Sequence, residues 1–484
     1  MRKIKKTESI VSGVLKFSIS SWANLIIGFL SIVVTTRLLA PDTYGFINLF
    51  IAFANVLMYV ISFGFDGALI RFYNEPPSQD TKNQLLYKCI TMSIVVGVVF
   101  GIVTVFLLDD LLSSAIFGFP SRVLVALVFI YALECLILRY FNISFRMTFN
   151  SLQYNIQNII NSSLMRILII VSSFFFVNVV YLALVVVIGY GFVVVMYLII
   201  QKNQIMPYAA NGKLNFSLSL RGYGEYLKFA LFNAPIYVIN YANTFLSLQI
   251  IRAFCGVYSV GIFSSASLFS SIVSALSGGF STYWLAYVYK NYNQEQARIK
   301  KMHSYILLCA IILASLFVIF RDVVYLFIGN DYHESKVFYS LLLVTPILNL
   351  IVTTTQVGIG IAKKNQFQLI TTVVTILTNI SACVLLIPAF NLIGAAIASA
   401  ISGLLQFALN TWFGQKNYSS IDSQSKSFFA IGLLLLILVL PVFFFDLSIL
   451  VPSVLMLDLL ALVVFRQETI EAFLFVRKVF KREV

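Results

Sequence analysis

The chain has 484 residues, of which 60% are hydrophobic and only 11% charged, with a formal net charge of +14. That charged fraction is under half of the ~25% usual for soluble domains, which excludes a soluble enzyme, a disordered chain and a secreted disulfide scaffold. Outer-membrane barrels are excluded too, because their strands alternate polar with apolar residues. The composition fits a polytopic α-helical membrane protein, and the excess of Lys and Arg is read as topogenic rather than as a nucleic-acid surface. Cys89, Cys135, Cys255, Cys309 and Cys383 are scattered through apolar stretches without a C-x-x-C pair, and read as small hydrophobes.

In chain order, apolar runs bounded by charge, Pro, Asn or Gly predict spans over 14–39, 44–71, 86–107, 121–141, 157–176 and 180–200. The first of these follows a basic N-terminus and is too long for a signal peptide core, so it reads as a retained helix. A polar stretch follows to residue 225. Six more spans are expected over 226–251, 257–286, 303–328, 336–361, 367–387 and 391–413. A linker, GQKNYSSIDSQSKS (414–427), leads to spans over 428–445 and 447–465, and a basic tail over 466–484 ends the chain. The predicted class is therefore all-α with 14 transmembrane helices. They form an N-lobe (1–200), a cytoplasmic linker (201–225), a C-lobe (226–413), a second cytoplasmic linker (414–427), two extra helices (428–465) and a cytoplasmic tail (466–484).

Charge tests the map. Of 33 Lys and Arg, 27 fall on alternate loops and helix ends starting with the N-terminus, five (Arg37, Arg122, Arg252, Arg321, Lys336) fall on the other side, and Arg166 lies inside a span. A bias of this size places both termini in the cytoplasm and requires an even number of spans.

An internal repeat is legible. TTRLLAPDTYGFINLF, at the junction of spans 1 and 2, resembles QIIRAFCGVYSVGIFSSA at the junction of spans 7 and 8, with Arg37 and Gly45 matched by Arg252 and Gly261. Arg146 with Gln153 and Lys363–Lys364 with Gln368 repeat at a similar offset. Two six-helix lobes facing one cavity form a transporter architecture.

These residues carry a family resemblance. RLLAPDTYGFINLF followed by GFDGALIRFY resembles the opening signature of the polysaccharide-biosynthesis (O-antigen, Wzx-type) flippases of the multidrug/oligosaccharidyl-lipid/polysaccharide exporter superfamily. NLIGAAIASAIS (391–402) resembles the element before that family's twelfth helix. The resemblance implies a MATE-like fold in the bacterial inner membrane. It also implies alternating-access transfer of an undecaprenyl-pyrophosphate-linked oligosaccharide to the outer leaflet, beside membrane lipids and the polymerase machinery of the same pathway. An H+ or Na+ coupling ion is compatible; no other cofactor is implied. A multidrug or cation exporter and a lipid II flippase share the fold, and a membrane polymerase or ligase is a more remote alternative.

Polar residues inside spans mark the expected cavity. Span 2 carries Asn48, Asn55, Tyr59, Ser62 and Asp66 on one helical face, and span 7 carries Asn233, Tyr237, Asn240 and Thr244. Ser267, Ser271, Ser274 and Gly278 line span 8, where close helix packing is the competing explanation. Asp66 is expected to reach Arg71 or water, and Asp458 to tie spans 13 and 14. Arg37 and Arg252, repeat mates, are candidates for a cationic outer mouth that grips a pyrophosphate through the planar guanidinium fork. Glu134 and Arg166 lie at similar depth on consecutive antiparallel spans and are expected to pair. The two histidines, His303 and His333, are too far apart in the span map for a metal pair, and P-loop, G-x-S-x-G and H-E-x-x-H motifs are absent.

Overall fold

The computed structural model describes residues 10–73, 81–148, 150–176, 178–206, 223–362, 364, 366–471 and 474. Nearly all of these are helical and none is in a strand. Ten helices are long and apolar enough to cross a membrane, eleven if one bent pair at 330–355 is a single crossing.

Contacts divide the chain into two compact units, Leu15–Gly261 and Ile262–Val484 with Met1–Val14. The first holds α1 (Ile10–Leu38), α2 (Pro41–Ser62), α3 (Phe65–Phe72), α4 (Lys82–Leu107), α5 (Asp109–Phe117), α6 (Arg122–Met147), α7 (Ser151–Ser173), α8 (Val179–Ile200), α9 (Lys202–Ile205) and the first part of α10 (Tyr223–Asn291). Its core is built on α6, which packs on α2, α4, α7 and α8 and buries Leu124, Val125, Val128, Ala132, Leu136, Tyr140 and Phe141 completely. Helix starts follow the local chemistry: Pro41 opens α2, Thr81 and Gln84 form a capping box on α4, and Ser121, Asn150 and Asn178 cap α6, α7 and α8 through their side-chain oxygens.

The second unit holds the rest of α10, then α11 (Gln296–Ile319), α12 (Arg321–Tyr325), a 3-10 turn (Asn330–Val337), α13 (Tyr339–Leu342), α14 (Val344–Thr355), α15 (Val357–Ile361), α16 (Gln366–Asn417), α17 (Gln424–Phe443) and α18 (Leu447–Val464). Here α11 packs against α14, α17 and α18, and α14 against α16. His303 of α11, fully buried, bridges the hydroxyls of Thr354 on α14 (2.8 Å) and Ser427 on α17 (3.1 Å).

Two long helices join predicted span pairs without a loop. The backbone of α10 breaks at Gly256 (φ 84°), between predicted spans 7 and 8, and that of α16 at Asn391 (φ 50°), between spans 11 and 12. Positive φ is tolerated by Gly and Asn, so one residue does the work of a turn. At the second break Gly394 lies so close to the Leu386 carbonyl that a β-carbon would strike it, which gives NLIGAA a steric reason. Span 2 is also interrupted: α2 stops at Phe63–Gly64, both left-handed, before α3 resumes. The connection between α4 and α6 is not bare loop but contains α5. Most of the polar stretch at 201–225, residues 207–222, lies outside the described residues.

Candidate functional site

The break at Phe63–Gly64 centres a buried polar cluster. Ending α2 there frees carbonyls that a continuous helix would use, and Ser93 of α4 donates to the Ser62 carbonyl (3.1 Å) while its hydroxyl also bonds the Tyr140 hydroxyl (2.6 Å). Irregular backbone at membrane depth is tolerated where it is buried in protein or lines a cavity. Asp66 sits in the first turn of α3, where the positive end of the short helix favours a carboxylate. It is 1% exposed and accepts from the Ser62 hydroxyl at 2.8 Å.

The Asp66 counter-charge is Arg139 of α6, whose Nε and Nη2 donate to Asp66 Oδ2 at 2.9 and 2.7 Å. This corrects the expectation of Arg71 or water. The reason is geometric: Arg71 lies in the last turn of α3, whereas α6 carries Arg139 directly beside the helix break. Arg139 stands eight residues before the end of α6 at Met147, ~12 Å along the helix axis. Its guanidinium also lies over the Tyr59 ring (4.7 Å), and Tyr59 stacks on Tyr241 of α10 (4.2 Å between centroids). The Arg139 side chain keeps 28% exposure, and among the described residues its Nη1 makes no hydrogen bond. The cluster therefore presents an oriented, partly accessible guanidinium edge, suited to an oxyanion.

The other expected residues take varied places. Asn55, one turn before Tyr59, is half-buried, and Asn48 bonds the Tyr44 carbonyl of its own helix. The side chains of Asn233, Tyr237 and Asn240 lie outside what is described. Arg37 is exposed in the last turn of α1. Arg252 is engaged: it donates to the Ala115 carbonyl, beside a Gln249 amide that donates to the Ile116 carbonyl at 3.1 Å, so the pair caps the C-terminal end of α5. A helix C-terminus offers unpaired carbonyls and partial negative charge, which is what a cation seeks there.

Glu134 and Arg166 do not pair. Glu134 faces Gly191 of α8, with Oε2 buried and without a hydrogen-bond partner. Arg166 bonds Ser162 one turn back in α7 (3.0 Å) and lies against Gly28 of α1. The two helices turn these side chains toward different neighbours, a rotation that depth alone did not reveal. Asp458 accepts from Ser315 of α11 (2.6 Å), so it ties α18 to α11 rather than to α17. Ser267, Ser271 and Ser274 bond carbonyls of their own helix, and Ser271 and Ser274 are exposed rather than packed against a neighbouring helix.

The repeat stretches meet. Gly45 of α2 is so close to Val257 that a β-carbon would overlap the Val257 carbonyl oxygen, and a β-carbon on Gly261 would overlap the Pro41 carbonyl oxygen. Pro41 and Gly45 match Val257 and Gly261 at one offset, so the contact is reciprocal, as in an isologous interface.

A family model described as polysaccharide biosynthesis protein matches residues 10–286, more than half of the chain. The chain belongs to the polysaccharide biosynthesis protein family. No curated protein sequence matches it. Among solved structures it is similar to the lipid II flippase MurJ in an inward closed conformation, with TM-score 0.63 and 17% identity over 95% of this chain and 100% of that one. It is also similar to an inward-facing multidrug resistance MATE family transporter of the MOP superfamily, with TM-score 0.60 and 16% identity over 84% and 97%. At these identities the likeness is one of fold. This polysaccharide biosynthesis family member is thus a multi-pass helical membrane protein with the MurJ/MATE fold.

Proposed function

We propose that the chain is a flippase for an undecaprenyl-pyrophosphate-linked oligosaccharide repeat unit. It would work in the bacterial inner membrane with 14 passes and both termini cytoplasmic, in two lobes bounded as the sequence sets out, and serve O-antigen, capsule or exopolysaccharide assembly. The observation that carries this reading is the Asp66–Arg139 pair at the break in span 2. A half-buried Arg held by one carboxylate, with a free guanidinium edge, is a competitive site: an incoming phosphate oxygen satisfies Nη1 and offsets part of the charge that Asp66 balances in its absence. Breaking and re-forming this pair gives transport a two-state element to bias. Asn55, half-buried on the same helical face, would meet the sugar, while Tyr59, 4% exposed, backs the Arg139 guanidinium; the stripe Asn233, Tyr237 and Asn240 is proposed to meet the sugar from span 7. Arg166, beside Ser162, is a second cationic candidate.

A lipid-linked cargo is favoured over a cationic drug by the unbonded guanidinium edge of Arg139 and by the fuller overlap with MurJ, which extends over 95% of this chain against 84% for the MATE transporter. Lipid II is the second reading on the same ground. The test is complementation of a strain lacking its own flippase, reading lipid-linked oligosaccharide that reaches the periplasmic leaflet. The chain should restore it, Arg139→Lys should restore part and Arg139→Ala none at equal protein level. Restoration by Arg139→Ala equal to that of the native chain would overturn the assignment.

A further inference from the structure

A second polar site lies in the unit formed by the second half of the chain. A cavity of about 480 Å³ opens between the first turn of α11 and the segment that follows α18. Its walls include Gln296, Lys300, Lys301, Asp422, Glu468 and Glu471. Three of these residues are engaged internally: Lys301 pairs with Glu471 at 2.6 Å, and Glu468 Oε1 with Lys426 at 2.6 Å.

What is left over has both signs. Lys300 has no ion-pair partner among the described residues and stands one turn into α11. The N-cap of that helix, Glu295, makes no side-chain cap, so the first-turn amides and an ammonium face the same end. Glu468 is only 8% exposed, and its Oε2 is buried without a hydrogen-bond partner. A buried carboxylate oxygen left unbonded is costly, and a cationic donor is its natural complement. Asp422 adds a second, exposed carboxylate. A simple anion would meet three carboxylates, and a simple cation two lysines. A group carrying phosphate and ammonium together satisfies both halves.

We infer that this cavity binds a phosphoethanolamine group, with its phosphate on Lys300 and the α11 N-terminus and its ammonium on Glu468 and Asp422. The cavity lies where two apolar membrane helices end, at the start of α11 and just past α18. That is headgroup depth, so the group belongs in the first instance to a phospholipid; a free phosphoethanolamine ester shares the chemistry. The inference is independent of the cargo assigned above.

The test uses the full chain in nanodiscs made from equal parts phosphatidylethanolamine and phosphatidylglycerol. Retained lipid is counted by native mass spectrometry, and soluble O-phosphoethanolamine is titrated in parallel. The native chain should retain the amine lipid about tenfold over the glycerol lipid, the factor of one modest charge contact. Glu468→Gln keeps an acceptor for Lys426 but replaces the unbonded oxygen with an amide donor, and should abolish the preference. Lys300→Ala should lower retention of the amine lipid. Preference seen only with the soluble ester would assign the site to a free metabolite of the same class. Equal retention of both lipids with no binding of the ester would overturn the inference, as would a preference untouched by Glu468→Gln and Lys300→Ala. Should Glu468→Gln fail to fold, Lys300→Ala and Asp422→Asn decide on the same readout.

Discussion

Asp66 and Arg139 show what one residue can and cannot reveal about its partner. A carboxylate inside an apolar span announces itself, because its burial must be compensated. Arg139 gives no such signal: it sits near a helix end and reads as one more cytoplasmic charge. Only the packing of α6 against the helix break joins residues 73 apart in sequence. The pair predicts asymmetric mutational behaviour. Asp66→Asn leaves the guanidinium without its counter-charge and should cost ~3 kcal/mol, the low end for removing one partner of a buried pair, because Arg139 keeps some solvent access. Asp66→Asn with Arg139→Gln should recover most of that stability in a thermal melt in detergent, yet transport no substrate. A double variant that folds and transports would make the pair purely structural. Glu134 predicts the reverse: with Oε2 unbonded, Glu134→Gln should leave the melting temperature unchanged or raise it. A marked loss would reveal a partner for that oxygen.

At the scale of elements, the first part of α10, from Tyr226 to Gly261, runs antiparallel to α2 and α3. Phe72 meets Tyr226, Gly64 meets the Ala230 carbonyl, Tyr59 stacks on Tyr241, Phe53 on Phe245, and Gly45 meets Val257. The apolar runs and the repeat made both helices legible in the sequence, and the matched glycines pointed to equivalent positions. That those positions touch each other was not legible, since a repeat fixes equivalence and not contact. The seam has no room for a side chain at Gly45 or Gly261. Gly45→Ala and Gly261→Ala should each destabilise by about 1–3 kcal/mol through overpacking against backbone, which cannot step aside as a side chain can. Gly224, with open space at its β-carbon position, should accept Ala without loss. Equal melting temperatures for all three variants would refute the close approach. The Arg252 latch on α5 belongs to the same outer seam by the proposed topology. Arg252→Gln should weaken it, while Arg252→Lys should preserve it in part, because the helix terminus rewards any cation.

For the whole molecule, the placement of charge is the strongest sequence signal. Runs of apolar residues marked where helices would lie, and some described helices follow them, such as Lys82–Leu107 against 86–107 and Leu447–Val464 against 447–465, whereas the run at 336–361 is divided among a 3-10 turn and three short helices. What the runs could not show is that two pairs of spans are joined by single residues, Gly256 and Asn391, with no polar loop between them. A short turn of that kind leaves almost no polar signature. The proposed orientation rests on the 27-to-5 division of Lys and Arg, and it predicts the sidedness of every loop at once. Asp331, in the 3-10 turn between α12 and α13, should then face the periplasm, and Asp422, between α16 and α17, the cytoplasm. Both can be tested with single cysteines in a chain whose five native cysteines are replaced. Tyr418 is a poorer reporter position than Asp422, because its hydroxyl bonds the Tyr292 carbonyl and its ring packs on Tyr292. A membrane-impermeant maleimide applied to intact spheroplasts should label the cysteine at 331 and leave the one at 422 untouched until the membrane is permeabilised. The opposite pattern would invert the protein, placing the basic termini and the phosphoethanolamine cavity outside. Labelling of both sites from outside would place an even number of crossings between them. The predicted spans 10, 11 and 12 would then have to lose or gain one, and the break at Asn391 would not be the hairpin between two crossings.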